Sequence, residues 1–348
     1  MKIIVTTVQV PFVRGGAEVH AESLVNALKS AGHQVEIVSI PFKWYPSERI
    51  LDMMLVSRLL DLSESNGKKI DLVIGLKFPA YLIPHHNKVL WILHQHRDAY
   101  DLWGSKFCGL SQYANGLQIR ETIINADNKV FHECKAIYTN SNTVSQRLKK
   151  FNYFNSIPLY HPPQNAELFY CQDEQSYFFF PSRLNLMKRQ ELVLQAIAAT
   201  SNSVKVIFAG ESEDKSYENY LINLTKQLKI SDRAIFLGRI SEEEKIKYYS
   251  EATAIIYPPF NEDYGYVTLE GMLASKPIIT CTDSGGPLEF IRHEETGAIA
   301  EPTPESLALA MDKIWENRTW ASQLGRAARE YYNSLGITWS KVIEKLIV

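Results

Sequence analysis

The chain has 348 residues, of which 45% are hydrophobic and 22% are charged, and its formal net charge is −2. This length exceeds the size at which a single core usually keeps growing, so two domains are expected. No run of Lys and Arg alternates with aromatic residues, which argues against nucleic acid as a partner. The four scattered cysteines lack Cys-x-x-Cys and zinc spacing, which indicates reduced thiols in a cytoplasmic protein.

The first ten residues form an apolar run that is too short to cross a membrane. Pro11 and Arg14 follow directly, so the segment has the pattern of neither a signal peptide nor a membrane span. It predicts a buried first strand.

Apolar runs of strand length alternate with segments of helical period along the chain, which predicts an α/β protein with parallel sheets. The first series of predicted strands covers 3–8, 35–40, 72–76 and 89–93, and the second covers 177–180, 204–209, 234–237, 254–257 and 277–281. After Thr303 the pattern is helical. The repetition predicts two doubly wound, Rossmann-like sheets.

A stretch rich in Pro and Asn, 152–165, separates the two series and has linker composition. We therefore expect an N-terminal Rossmann-like domain at 1–160 and a C-terminal Rossmann-like domain at 161–337. We expect the terminal helix, 338–348, to pack back on the first domain. Two such sheets would face a central cleft, with the carboxyl ends of their strands around it, where open α/β sheets bind ligands.

Gly15 and Gly16 follow the first predicted strand and precede a helix. Glycines at this position let backbone N–H groups approach a phosphate, although a tight turn is the favoured explanation of a Gly-Gly pair on its own. The dinucleotide fingerprint Gly-x-Gly-x-x-Gly is missing, which weakens an oxidoreductase interpretation.

Three cations, Arg183, Lys188 and Arg189, follow the strand at 177–180 near the start of a helix. The helix dipole disfavours cations there, so a bound anion such as a diphosphate is the favoured explanation for Arg183 and Lys188. Arg189 is expected to point into solvent.

His94 ends a predicted strand and His96 follows two residues later, so both would face one side if the strand continued. Either histidine could meet a substrate, and a structural role is equally compatible. No acid or cysteine nearby has convincing spacing to complete a metal site. Further on, Glu262 and Glu270 flank a glycine and an apolar helix start, where they are either solvated acids or ligand-facing acceptors.

Several short motifs, in their order and spacing, resemble glycosyltransferase family 4, whose members are retaining enzymes of the GT-B fold. The motifs are Gly15-Gly-Ala-Glu18, Tyr138-Thr-Asn-Ser-Asn-Thr143, His161-Pro-Pro163, Arg183 with Lys188, Phe236-Leu-Gly238, Glu262 to Glu270, Ala274-Ser-Lys-Pro277, Ser284-Gly-Gly286 and Glu295-Thr-Gly297. The resemblance covers nearly the whole chain. It implies that the domain at 1–160 binds the acceptor and that the domain at 161–337 binds the nucleotide sugar. It implies a hexosyltransferase that uses a nucleotide diphosphate sugar, with UDP favoured, and a saccharide or lipid-linked acceptor in polysaccharide or glycolipid biosynthesis.

The resemblance also implies a role for each matching residue. Arg183 and Lys188 would neutralise the diphosphate, Glu270 would bind the ribose hydroxyls, and Glu262 would bind the donor sugar. His94 would lie by the anomeric centre, and Gly15 and Gly16 would approach the phosphates. The backbone from Asp263 to Val267, which includes Tyr264, Gly265 and Tyr266, would cover the donor. The sequence departs from the usual pattern at Asp263-Tyr-Gly265 and at Gly271, which bears on donor preference.

The expected chemistry needs no metal and no cofactor, because two cations can stabilise the leaving diphosphate and no Asp-x-Asp pair is present. A double displacement needs a carboxylate beneath the anomeric carbon, whereas the resemblance implies that Glu262 binds the sugar hydroxyls. We therefore expect a front-face substitution in which the leaving phosphate accepts the acceptor's proton.

The helical segment 49–60 has excess apolar surface beside the aromatic stretch 42–45. Core packing is the favoured explanation. Contact with a lipid-linked acceptor or with the inner face of the membrane stays open as a second interpretation.

Two other functions share this architecture. One is a catalytically silent subunit that binds nucleotide sugar, which has no need of the full residue set. The other is a sugar-nucleotide epimerase, which needs further acid and base residues at the sugar.

Overall fold

The strands of the first half follow the apolar runs of the sequence in the structure, a computed structural model that describes residues 1–212 and 214–347. The strands are β1 (Lys2–Gln9), β2 (Gln34–Pro41), β3 (Glu64–Ser65), β4 (Lys68–Lys69), β5 (Leu72–Lys77), β6 (Lys88–His94), β7 (Ala136–Thr139) and β8 (Ile157–Pro158). The helices are α1 (Gly16–Ser30), α2 (Glu48–Leu59), α3 (Gly116–His132) and α4 (Asn142–Asn152).

The second half repeats the alternation of strand and helix and then becomes helical. Its strands are β9 (Phe178–Pro181), β10 (Val206–Ala209), β11 (Ala234–Phe236), β12 (Ala254–Ile256), β13 (Ile278–Cys281) and β14 (Gly297–Ala300). Its helices are α5 (Gln190–Ala199), α6 (Lys215–Gln227), α7 (Glu242–Glu251), α8 (Tyr266–Leu273), α9 (Pro304–Glu316), α10 (Arg318–Leu335) and α11 (Trp339–Leu346).

The chain divides into two units. Unit 1 contains residues 1–164 and the chain from Thr338 on, and unit 2 contains Asn165–Ile337. The division therefore falls four residues beyond the sequence boundary at 160. Helix α11 belongs to unit 1, where Val342 and Leu346 are fully buried in the core cluster that surrounds β1 and β6.

Unit 1 has a parallel six-stranded sheet in the order β2-β1-β5-β6-β7-β8. Its central strands are buried on both faces, because helices cover both sides of a parallel sheet. The strand order reverses between β1 and β5. The carboxyl ends of these two strands therefore frame the position where doubly wound sheets bind ligands.

Unit 2 also has a parallel six-stranded sheet, in the order β11-β10-β9-β12-β13-β14. Here the order reverses between β9 and β12, which places the ligand position outside the carboxyl ends of those strands. Both β9 and β12 are fully buried. The segments that follow them are the ones that carry Lys188 and Glu262.

Two sequence interpretations are wrong in detail. The predicted linker 152–165 begins inside unit 1, because Asn152 is buried at the end of α4 and β8 pairs with β7. Core packing does not account for the apolar face of α2, since Leu55, Val56 and Leu59 are 60%, 41% and 74% exposed. Only Ile50 and Met54 among its large apolar side chains are buried.

Candidate active site

Lys188 and Glu262 meet at the point where the strand order of unit 2 reverses. Lys188 ends a short 3-10 turn, Leu186–Lys188, that follows β9 and is capped by Asn185, whose side chain accepts from the Met187 N–H at 2.8 Å. Glu262 lies in the loop that follows β12. The two side chains form an ion pair across the reversal.

Tyr257 completes this contact. The Lys188 ammonium donates to the Tyr257 hydroxyl at 2.9 Å and to the Glu262 carboxylate. Burial lowers the pKa of Lys188, but the adjacent Glu262 carboxylate outweighs burial and the net shift of the pKa is upward. The lysine is therefore a cation that is paired with a carboxylate.

Two glycines bring a second loop against the backbone of Glu262. The Glu262 N–H donates to the Ser284 carbonyl at 2.9 Å, and its carbonyl accepts from the Gly286 N–H at 2.8 Å. A Cβ at Gly285 would lie 2.5 Å from the Glu262 carbonyl oxygen, and φ there is +72°. Glycine is thus required for this approach, which fixes the backbone that presents Glu262.

Gly265 joins the Glu262 loop to α8. It has φ of +86°, and a Cβ there would lie 2.9 Å from the Pro287 ring. The side chain of Tyr264 is buried, with its ring edge-on to Tyr266 at 5.3 Å and to Phe290 at 5.7 Å. Val267 is also buried. The residues expected to cover the donor therefore form a packed turn, in which the tyrosine ring is part of the core.

Glu270 lies on α8 in a separate network. Its Oε1 accepts from the Lys245 ammonium at 3.0 Å, and its Oε2 accepts from the Tyr249 hydroxyl at 2.7 Å. Lys245 and Tyr249 lie four residues apart on α7, so they share one face of that helix. Each of the two predicted glutamates thus belongs to a network with one lysine and one tyrosine.

The other two cations of the β9–α5 segment differ in their surroundings. Arg183 lines a cavity of about 360 Å³ together with Asn185, Asp214 and Tyr217. Arg189 donates two hydrogen bonds to the Asp283 carboxylate, at 2.7 and 2.6 Å. The expectation that Arg189 points into solvent is wrong, because this bidentate pair leaves its side chain only 18% exposed.

In unit 1, Gly15 and Gly16 lie at the start of α1. Gly15 caps the helix in an extended conformation, and its N–H donates to the Glu18 carboxylate at 2.8 Å. The Glu18 carboxylate therefore accepts from one of the two backbone N–H groups that were expected to bind a phosphate. Gly16 is exposed.

His94 ends β6, and its Nδ1 lies 2.6 Å from the Gln95 carbonyl oxygen. The strand does not continue to His96, so the two histidines do not share a strand face. His96 begins a 3-10 turn, and its ring packs 5.4 Å from Phe78 and 6.3 Å from Phe42. Burial lowers the pKa of His96 to about 4, which keeps this ring neutral at physiological pH.

Sequence reasoning missed Tyr257, Lys245, Tyr249 and Asp283. Tyr257 directly follows β12, so its place at a strand's carboxyl end was an available signal. The only sequence signal for Lys245 and Tyr249 was their four-residue spacing. That spacing predicts a shared helix face, but it does not predict that Glu270 lies opposite. Asp283 is 94 residues from Arg189, and nothing in the local sequence connects them.

Several known glycosyltransferases are similar to this chain in sequence. Residues 171–331 match the family model described as glycosyl transferases group 1. A glycosyltransferase of Methanocaldococcus jannaschii is 23% identical over 402 aligned positions, which cover 100% of this chain and 97% of that protein. The human alpha-1,3/1,6-mannosyltransferase ALG2 is 33% identical over 131 residues, which cover 36% of this chain and 31% of that protein.

Solved structures share the fold over nearly the whole chain. Sucrose-phosphate synthase from Thermosynechococcus elongatus has a TM-score of 0.79 at 17% identity, with 99% of this chain and 97% of that chain covered. Anabaena HepE, in complex with UDP-glucose, has a TM-score of 0.74 at 14% identity, with 99% and 98% covered. The chain is a hexosyltransferase with the GT-B fold. The predicted fold class and the predicted enzyme class are thereby confirmed.

Within residues 1–212 and 214–347, no helix is long and apolar enough to span a membrane. Over the same residues, no group of three or more His, Cys, Asp and Glu side chains is arranged to hold a metal ion.

Proposed function

We propose that this hexosyltransferase moves a sugar, with retention of anomeric configuration, from a nucleotide diphosphate sugar to a saccharide or lipid-linked saccharide acceptor. The observation that carries the proposal is the Lys188–Glu262–Tyr257 contact at the strand reversal of unit 2. An ammonium at this position has the charge that a diphosphate needs, and a carboxylate beside it can accept from sugar hydroxyls. The assignment to glycosyltransferase family 4 is part of this proposal.

Unit 2 would bind the donor. Lys188 and Arg183 would take the diphosphate, Glu262 the hydroxyls of the transferred sugar, and Glu270 the ribose. When the diphosphate binds, Lys188 would exchange its contact with Glu262 for the phosphate oxygens. Glu262 would then be released to the sugar, so one event would prepare both ends of the donor.

Unit 1 would supply Gly16 to the phosphates and His94 to the anomeric region. The Gly15 N–H is already engaged by Glu18, which leaves Gly16 as the better-placed amide of the pair. His94 rather than His96 is proposed beside the sugar, because the ring of His96 is packed against Phe78.

The proposed chemistry is a front-face substitution. The bond from the anomeric carbon to the diphosphate oxygen breaks, the acceptor oxygen forms a bond to that carbon on the same face, and its proton passes to the departing phosphate. Lys188 and Arg183 would stabilise the negative charge that develops on the phosphate, which is the role that preorganised cations perform best. Because these residues supply the positive charge, we propose that turnover needs no metal ion.

UDP is the proposed donor nucleotide. Among similar folds, HepE is described in complex with UDP and with UDP-glucose, which supports UDP as the first nucleotide to test. The acceptor class is supported by a similar fold described as a lipopolysaccharide outer core galactosyltransferase. A place in polysaccharide or glycolipid biosynthesis in the cytoplasm is proposed with it.

Peripheral contact with the inner face of the membrane is part of the same proposal. Its support is the exposed set Leu55, Leu59, Trp44 and Tyr45 in unit 1. Co-sedimentation with vesicles of anionic phospholipid tests it, and retention in the supernatant at low salt would contradict it.

The primary experiment is a thermal-shift screen against UDP, GDP, ADP and their sugars, because ligands that bind the native state raise the unfolding temperature. Product analysis follows, with and without saccharide acceptors, in buffer containing EDTA. Transfer predicts that release of nucleoside diphosphate increases with the right acceptor. An epimerised donor formed without acceptor would overturn the transferase proposal, and donor binding with no product would favour a silent subunit.

A further inference from the structure

The carboxylate of Glu270 is held at both of its oxygens by one face of α7. Lys245 lies 3.0 Å from Oε1, and the Tyr249 hydroxyl lies 2.7 Å from Oε2. The other carboxylate near Lys245 is Glu242, at 2.9 Å on the same helix. Glu270 is therefore fixed in position and orientation by two donors that come from a neighbouring helix.

The surroundings of this network make the two contacts strong. The ring of Phe169 packs 5.6 Å from the Tyr249 ring and 5.9 Å from the Lys245 ammonium. Burial lowers the pKa of Lys245, but Glu270 and Glu242 outweigh burial, so the net shift of the pKa is upward and the lysine stays charged. A buried carboxylate needs such a partner, because an uncompensated charge there would be strongly destabilising.

The remaining acceptor capacity of Glu270 suits two further donors. An ionised carboxylate has about four lone-pair positions, of which Lys245 and Tyr249 occupy two. One position stays open on each oxygen, and 11% of the side chain is accessible. Two adjacent hydroxyls, such as the 2′ and 3′ hydroxyls of a ribose, match two open positions on one fixed carboxylate.

We propose that Lys245 and Tyr249 are positioning residues that hold Glu270 for a ribose diol and thereby set the preference for ribonucleotides over deoxyribonucleotides. The inference rests on the proposed function, which places the ribose at Glu270. It adds that discrimination at the ribose depends on two side chains that do not themselves touch the nucleotide.

The test is calorimetry with UDP and 2′-deoxy-UDP on the full chain, or with GDP and its 2′-deoxy form if GDP binds better. The native chain is expected to bind the ribonucleotide about tenfold more tightly, as one hydrogen bond to a charged acceptor predicts. Lys245→Met should reduce the ratio of the two affinities to near one, chiefly because it binds the ribonucleotide more weakly. Lys245→Arg should keep most of the native preference for the ribonucleotide. Tyr249→Phe should bind the ribonucleotide about threefold more tightly than the deoxyribonucleotide.

Lys247→Met is the matched control. Lys247 lies on the same helix, is 64% exposed and contacts only Glu251 among the acids of the described chain. Its ratio should equal that of the native chain. If Lys245→Met does not fold, Tyr249→Phe carries the test, and a ratio equal to that of the native chain would overturn the inference.

A folded Lys245→Met protein that discriminates as the native chain does would overturn this inference, while nucleotide binding itself would leave the proposed function intact. A native chain that binds both nucleotides equally would overturn the inference and the ribose assignment together. A native chain that binds none of the nucleotides would overturn the proposed function and this inference with it.

Discussion

The two units carry similar sheets but hold their candidate residues in different ways. In unit 2, Glu262 and Glu270 each lie within a preformed network of a lysine and a tyrosine. In unit 1, the Gly15 N–H is held by Glu18 of the same helix, and His94 contacts the adjacent Gln95 carbonyl. Long-range charge pairs thus hold the two glutamates of unit 2, whereas these contacts of Gly15 and His94 join residues one to three positions apart. This difference predicts that unit 2 determines donor affinity and that unit 1 affects turnover.

The largest effect is expected from Lys188→Ala. Loss of this cation should reduce kcat by about 10²–10³-fold, because its charge would stabilise the leaving diphosphate. Steady-state kinetics measures the loss, and calorimetry should also record weaker binding of the nucleoside diphosphate. Lys247→Ala is a suitable control, since that lysine is mostly exposed. Unchanged diphosphate binding in folded Lys188→Ala would show that the phosphate assignment is wrong.

Glu262→Gln should separate the two roles of the Lys188 network. Turnover should fall by about 10²-fold because a sugar-binding carboxylate is lost, whereas affinity for the nucleoside diphosphate alone should rise a few-fold. The rise is expected because Lys188 no longer has a competing carboxylate. Calorimetry with the nucleoside diphosphate measures this, and a weaker affinity would contradict the exchange of partners at Lys188.

His94→Ala tests the prediction that unit 1 affects turnover but not donor affinity. We expect kcat to fall by about tenfold to a hundredfold, with the dissociation constant of the nucleoside diphosphate unchanged within about twofold. Kinetics and calorimetry on the same preparation provide both numbers. If donor affinity falls as much as turnover, then the division of roles between the units is wrong.

The smallest effect on activity is expected from Asp127→Asn in unit 1, which should change stability alone. Asp127 accepts from the hydroxyls of Tyr81 and Tyr100, and burial raises the pKa of its carboxyl to about 7. A folded-state pKa above the unfolded value favours the folded state at low pH, and this contribution is lost as pH rises from about 4 to about 7.

Urea unfolding of the native chain and of Asp127→Asn across this range measures the effect. The difference in unfolding free energy between the two proteins should change by about 2–4 kcal/mol between pH 4 and pH 7, with the native chain losing the advantage as pH rises. A difference that is independent of pH would contradict the raised pKa.

Much of the fold could be predicted because its signals are local. Strand-length apolar runs lie within one or two residues of β1, β2, β5 and β6. The short strands β7 and β8 were not predicted, and β8 lies wholly within the stretch that was assigned to the linker. The apolar face of α2 was expected in the core, but periodicity states only that a helix has two faces and not which one is covered.

The sequence by itself determined the alternation of strands and helices, the likeness to GT-B enzymes, and the positions of Lys188, Glu262 and Glu270 after strands of the second series. Only the tertiary structure decided which side chains meet. Lys188 and Glu262 are 74 residues apart, Lys245 and Glu270 are 25 apart, and Arg189 and Asp283 are 94 apart. The physical reason is that hydrophobic periodicity involves only residues close together in the sequence. A long-range charge pair depends instead on the order of the strands in the sheet, which decides which strand ends lie side by side.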